Sequence, residues 1–440
     1  MTIANSLTAL SPLDGRYSEK TESLKPLFSE FGLIRHRVLI EIRWLLHLKP
    51  EMGNQLENVF KAFSQKDAER VKEIEKTTNH DVKAVEYFIK EKISDSKLSE
   101  WVHWGCTSND VNNLSYALML KTAKEEVLIP MIEKIISHLV TKTREYAGIA
   151  MLSRTHGQKA TPTTMGKEFA NVVMRLRLQL DNLRNVKFYG KVNGAVGNFN
   201  AHHVVFPEKN WPEISKAFVE TLGLIYQPYT TQIEPHDFVA EFIHNIMRIN
   251  TIFIDFARDI WGYISLEYFH QKNLAQEVGS STMPHKVNPI DFENAEGNFY
   301  LSNGLLSTLA DKLPISRYQR DLVDSTLMRN LGAGFGYAMV AYQSLLKGLD
   351  KIEIHGAVME KDLEQSWEIL AEPIQMAMRA YGVPHAYEKL KALTRGKRID
   401  QQQMIEFINQ LPIPDDMKEK LKKLTPQSYI GYARKLAENI

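Results

Sequence analysis

Residues 165–183 read Met-Gly-Lys-Glu-Phe-Ala-Asn-Val-Val-Met-Arg-Leu-Arg-Leu-Gln-Leu-Asp-Asn-Leu, and their spacing decides the fold. Met165, Phe169, Val172, Val173, Leu176, Leu180 and Leu183 are separated by 4, 3, 1, 3, 4 and 3 positions. Residues at such intervals share one face of an α-helix, so the segment predicts a long helix with a seam close to a coiled-coil pattern. A similar stripe runs from Asn112 to Tyr146 through Leu114, Leu118, Leu128, Ile132, Ile135, Leu139 and Thr143. Pro130 lies inside it and predicts a kink, because proline offers no N–H to the helix. Phe242, Ile246, Ile249, Phe253 and Phe256 continue the style between Phe238 and Leu266. Stripes wider than one seam need several neighbours, which predicts a multi-helix bundle and assembly of subunits through it. Alternating Val/Ile/Thr-rich runs of sheet-building length do not stand out, so the expected fold class is mainly α. Three helical domains are expected: residues 1–111, a central long-helix bundle over 112–362, and residues 363–440.

The composition narrows the function. A chain of 440 residues is long enough for two to four structural units. Hydrophobic residues at 44% and charged residues at 24% are ordinary for a globular protein. Lys and Arg number 54 against 53 Asp and Glu, which gives no support to nucleic-acid or membrane partners. Any anionic ligand must therefore meet a local cluster of cations. The single cysteine, Cys106, excludes an internal disulfide and suits a reducing compartment. Met1 to Asp14 lacks a basic segment followed by an apolar core, and no stretch reaches the ~18 apolar residues of a membrane span. The expectation is a cytoplasmic protein. Metal and cofactor signatures are missing too: no histidine pairing has ligand spacing, and neither a Walker-type nor a Gly-x-Gly-x-x-Gly run occurs. No cofactor is expected.

Polar clusters punctuate the helices. Gly279-Ser280-Ser281-Thr282-Met283-Pro284-His285-Lys286-Val287-Asn288-Pro289 places two hydroxyls behind a glycine and a cation between two prolines. The prolines make it a loop, Gly279 can hinge it, and Asn288-Pro289 reads as cap and first residue of a following helix. Asp14-Gly15-Arg16-Tyr17 is a turn that can present a guanidinium fork and a phenol to phosphate. Thr77-Thr78-Asn79-His80-Asp81 and Thr107-Ser108-Asn109-Asp110 each precede a helix, where free N–H groups favour anions. Ser153-Arg154-Thr155-His156-Gly157-Gln158 reads as a loop before Thr161-Pro162, taken as cap and first residue of the next helix. His156, flanked by Thr and Gly, is held by a rigid element yet has room beside it, as a general acid needs. Thr230 to Asp237 contains Gln232, and Arg317 to Asp321 contains Arg320. Ser325 and Arg329 follow at spacings of five and four, which lets a helix direct both to one face with Arg320 near its start.

The pattern G-S-S-x-M-P-x-K-x-N-P resembles the signature loop of the fumarase/aspartase lyases at every defined position. His285 is similar to the adenylosuccinate lyase version, where argininosuccinate lyases carry Gln. The runs SPLDGRY, TTNHDVKAVEY, CTSNDVNNLSYALMLKT, LSRTHGQ, KVNGAVGN, TTQIEPHD, GSSTMPHKVNPIDFEN and RYQRDLVDST resemble that family in its order, from end to end. The resemblance implies a homotetramer with a shared helical core and active sites built from three subunits. It implies release of fumarate from adenylosuccinate and from succinylaminoimidazole carboxamide ribotide. Under it, Ser280 is the base that removes the succinyl β-proton and His156 the acid that protonates the departing nitrogen. The residues themselves do not choose between Ser280 and Ser281. By the same resemblance Arg16, Tyr17, Arg320, Ser325 and Arg329 hold the phosphate end. Thr107, Ser108, Lys286 and Asn288 hold the carboxylates, while Asn79, His80, Asp81, Gln232 and Ser281 line the site. The nearest rival is another fumarate-releasing lyase, such as argininosuccinate lyase; His285 and the cations at Arg16 and Arg329 argue against it.

Overall fold

A computed structural model describes residues 7–272, 282–283, 285–396 and 399–440. The fold is mainly α, with three two-stranded sheets among the described residues. All seven stripe residues from Met165 to Leu183 are buried in the helix Met165–Asn185, and the Phe242 to Phe256 stripe is buried in Asp237–Ser265. The stripe containing Pro130 breaks as expected. The helix Ser108–Thr122 passes into a wider π-turn over Ala123–Leu128, and a second helix, Ile129–Glu145, then carries the proline in its first turn. The wide turn frees the carbonyl that the ring would otherwise strike.

The chain divides into two compact units. The first comprises Met1–Ile132, Gln179–Ile254 and Asn294–Ser344; the second comprises Glu133–Leu178, Asp255–Glu293 and Leu345–Ile440. In the first unit, Ile34, Val38, Ile42 and Leu45 of helix Glu30–Leu48 pack with Val85, Phe88 and Ile89 of helix Asp81–Glu91. Helix Gln65–Thr78 opens on a Ser64–Asp67 capping box and closes on Asn79, whose φ of 50° reverses the chain. His80 then caps the next helix, accepting from the Lys83 N–H at 3.1 Å. The Thr77 to Asp81 cluster is therefore the corner between two helices.

In the second unit, Leu370, Ile374, Met378, Leu390, Met404 and Ile408 form a helical core of their own. A hairpin pairs Ala150–Thr155 with Gln158–Thr164. The sequence reading of this stretch as a loop is corrected here, as is that of Thr161-Pro162 as a helix start. Pro162 faces Leu152 across the hairpin, and the helix begins only at Met165, with Thr164 Oγ1 accepting from Lys167 N–H at 3.2 Å. The capping pattern fails at Thr161-Pro162 because the extended strands put Met151, Leu152, Thr163 and Thr164 indoors. The loop before helix Ile290–Lys312 also differs by one residue: the Pro289 carbonyl accepts from Glu293 N–H at 3.2 Å, so Pro289 occupies the cap position.

Gly105 precedes the Thr107 helix start with φ of 72°, and a Cβ there would land on the His202 ring. Gly105→Ala combines left-handed strain with overpacking, and we expect a loss of about 3 kcal/mol. A lowered urea midpoint checks this; an unchanged midpoint contradicts the packing.

Candidate active site

Most of the expected site residues fall in the first unit, in two groups. At the helix corner, Arg37 lies on the apolar stripe of helix Glu30–Leu48 with only 1% of its side chain exposed. Its Nη2 is 2.8 Å from Asp81 Oδ2, and its Nε donates to Asn112 Oδ1 at 2.8 Å. Arg329 joins from the end of helix Val323–Met328, 2.6 Å from Asp81 and 3.0 Å from Glu30. Burial alone would raise the Asp81 carboxyl, but Arg37, the Val82 amide and Arg329 outweigh it and hold it below the usual range. Asn79 and His80 are exposed beside this pair of guanidiniums. With Nδ1 accepting from the Lys83 N–H, Nε2 is the ring nitrogen left to meet a ligand. Arg37 escaped the sequence reading. Its signal was a charge in register with Leu33 and Trp44, which are buried.

The second group surrounds Asp110. Thr107 caps helix Ser108–Thr122, and its N–H donates to Asp110 Oδ2 at 2.8 Å. Lys191 Nζ lies 2.8 Å from Asp110 Oδ1 and donates to the Gln232 carbonyl at 2.5 Å. The Gln232 amide donates to the Ala195 carbonyl at 2.8 Å, and its backbone N–H to the Gln319 carbonyl at 3.3 Å. This brings the Thr107, Gln232 and Arg317 to Asp321 segments together. Beyond Gln232, the Glu234 N–H donates to Asn109 Oδ1 at 3.3 Å. The Glu234 carboxyl is pushed up to about 7 by burial, against the pull of His236. His236 Nε2 lies 3.4 Å from Asp324, which also accepts from the Ser325 N–H at 2.7 Å and stands 3.9 Å from Arg320. Arg320 lies before helix Val323–Met328, which carries Ser325 and is followed by Arg329 as its C-cap. Arg16 and Tyr17 belong to a different network of this unit. The Tyr17 hydroxyl accepts from Asn294 at 3.1 Å, and the Arg16 guanidinium lies 5.9 Å from the Tyr17 ring centre.

The second unit holds His156, Lys286 and Asn288. Thr155 and Gln158 close the hairpin around His156 and Gly157, whose φ values of 52° and 73° define a two-residue turn of the type matched to strand twist. His156 is thus exposed at the tip. The stem below it is fixed by Asp362, which accepts from Arg154 at 2.7 Å and Tyr268 at 2.6 Å and pairs with Lys159 at 2.8 Å. Burial would raise the Asp362 carboxyl, yet Lys159, Tyr268 and Arg154 bring it below the usual range. Lys286 is exposed, and its N–H donates to the Met283 carbonyl at 3.0 Å. Asn288 is half-buried. Ser280 and Ser281 lie outside the described residues. Among the described residues, no group of three or more His, Cys, Asp or Glu side chains could hold a metal ion, and no helix is long and apolar enough to cross a membrane.

Residues 49–300 match the family described as "Lyase", and residues 316–430 match "Adenylosuccinate lyase C-terminal". The fold resembles the crystal structures of a 3-carboxy-cis,cis-muconate lactonizing enzyme from Pseudomonas putida (TM-score 0.76, 21% identity) and a fumarate lyase from Mesorhizobium sp. BNC1 (TM-score 0.77, 16% identity). Each match covers 95% of this chain, and 96% and 97% of the respective structures. The architecture is that of the fumarase/aspartase superfamily, and the chain is a carbon–nitrogen lyase. It is 54% identical to the adenylosuccinate lyase of Haemophilus influenzae and 52% identical to those of Escherichia coli K12 and Vibrio cholerae, with 99% of each chain covered. The chain belongs to the adenylosuccinate lyase family; argininosuccinate lyase is not favoured.

The Asp81 pairing has a measurable pH signature. A carboxyl depressed in the folded state contributes stability that is present above its unfolded value, 3.8, and lost as pH falls through the folded one. Asp81→Asn leaves the buried Arg37 without its counter-ion, and we expect a loss of about 3 kcal/mol at neutral pH. The variant's stability should also change less below pH 3.8 than the parent's, as read by urea unfolding across pH. Parallel curves would contradict the assignment.

Proposed function

We propose that this chain cleaves adenylosuccinate to AMP and fumarate, and succinylaminoimidazole carboxamide ribotide to the free carboxamide ribotide and fumarate. Ser280 takes the succinyl β-proton, and the electron pair moves into the adjacent carboxylate as an aci-carboxylate. Its collapse expels the nitrogen, which His156 protonates. The dianionic intermediate demands cations and N–H donors already aimed at it, a role for Lys286, Asn288, Thr107 and Ser108. Ser280 is a weak base until ionised, so amide donors and Lys286 must lower its pKa. Ser281, Asn79, His80, Asp81 and Gln232 line the pocket, and Arg16, Tyr17, Arg320, Ser325 and Arg329 receive the phosphate end. No cofactor takes part.

The observation that supports this reading most is His156 itself, exposed on a turn whose stem a half-buried carboxylate locks in place. A proton donor on a fixed element meets the leaving group without first being ordered. We further propose a cytoplasmic homotetramer in which residues 112–362 supply the assembling helices and three subunits complete each site.

His156→Ala removes the proton donor and should cost ~10²–10⁴ in rate. Ser280→Ala should cost at least as much, and both should bind substrate nearly as tightly as the parent. If the two residues reach one site from different chains, mixing the inactive variants under subunit exchange restores part of the activity. Mixed tetramers that remain inactive would refute the shared site.

A further inference from the structure

The Asp110–Lys191 pair lies behind the expected carboxylate-binding end of the site, and neither side chain is exposed at all. Asp110 uses both oxygens fully. Oδ1 meets Lys191 Nζ at 2.8 Å and accepts from Asn193 N–H at 3.1 Å; Oδ2 accepts from Thr107 N–H at 2.8 Å and Gly194 N–H at 3.2 Å. Lys191 is held by Asn113, whose Oδ1 accepts from its N–H at 2.9 Å and whose amide donates to its carbonyl at 3.0 Å. Its ammonium spends a second hydrogen bond on the Gln232 carbonyl. Neither charge can reach a ligand, but each touches a segment that can.

We propose that Asp110 and Lys191 are positioning residues. The carboxylate sets the Thr107-Ser108 helix start, the ammonium sets the Gln232 loop, and their ion pair fixes the distance between the two. The inference rests on the reading of Thr107, Ser108 and Gln232 as groups that hold the substrate. A buried ion pair suits this task because it is directional and tolerates no slack: moving one loop leaves a charge unpaired in a dry interior. Donors that must face charge developing on the succinyl carboxylate need fixed places more than they need affinity. Loss of the pair should therefore appear in kcat more than in KM.

The test uses the full-length enzyme with adenylosuccinate. Lys191→Met keeps the apolar stem and leaves Asp110 its three amide donors, but removes the donor to Gln232. We expect kcat to fall about 100-fold, as for a small misplacement of a catalytic contact. Lys124→Met is the control. Lys124 is buried in the same unit and donates to the Arg184 and Val186 carbonyls at 3.2 and 3.1 Å. Its loss should lower stability and leave kcat unchanged.

The double variant Lys191→Met/Asp110→Asn removes both charges, so no carboxylate is left buried without its cation; an Asn oxygen can keep the Thr107 and Gly194 N–H groups, and only the Asn193 N–H loses its acceptor. Its kcat should stay low, because the Gln232 carbonyl still lacks its donor; a purely structural pair would return activity with stability. Parent-like kcat in either Lys191 variant overturns the proposal. So does failure of both to fold, which would make the pair a folding element alone. Ser108→Ala and Gln232→Ala test the underlying reading separately: if both keep full activity, that reading fails and the proposal with it. If they lose activity and Lys191→Met does not, only the positioning proposal fails.

Discussion

A carboxylate that never meets water governs the candidate site. Asp110 gives up its hydration and receives one ammonium and three backbone N–H groups in exchange. Stripping a carboxylate of water costs several kcal/mol unless its lone pairs are refilled, so each donor's place is dictated by the others. Those donors come from residues 107, 191, 193 and 194, and the ammonium reaches on to residue 232. Segments far apart in the chain are thereby held to hydrogen-bond precision.

The same division of labour recurs. Exposed or half-buried groups suited to chemistry stand beside acidic groups that are wholly or partly withdrawn from solvent. His80 and Asn79 adjoin Asp81, which pairs with Arg37 and Arg329. Ser325 follows Asp324, which His236 and Arg320 approach from two sides. His156 rides on a hairpin whose base is tied to Asp362 by Arg154, Lys159 and Tyr268. Each carboxylate is held by its own partners, and the neighbouring polar side chain sits on backbone fixed by them. Such preorganisation is what the proposed anionic intermediate would demand, since donors that had to reorganise would lose much of their advantage.

The helices are legible in the sequence because burial imposes a period on apolar residues. Every stripe position from Met165 to Leu183 is buried, and Pro130 disturbs its helix where the missing N–H requires it. The hairpin is not legible. Its strands are short and rich in Thr, so Thr161-Pro162 resembles a helix cap although Pro162 is paired with the opposite strand. His156 and Gly157 do carry a local turn signal, but a loop reading absorbs it. The clusters at Asn79 to Asp81, Thr107 and Ser108, Gln232, and Arg320 to Arg329 stand out by their density of polar groups. Their supports do not. Arg37 follows Arg35 and His36 and Lys191 follows a glycine, and only the tertiary fold shows which carboxylate each one meets. Ser280 and Ser281, the residues with the most specific motif, lie outside the described residues.

Elimination of fumarate from a succinylated purine nucleotide can be followed directly. The direct measurement incubates the purified protein with adenylosuccinate and quantifies fumarate and AMP together over the time course. The two should appear in equal amounts, without added metal or cofactor. No turnover of adenylosuccinate, or turnover of argininosuccinate in its place, would contradict the proposed function.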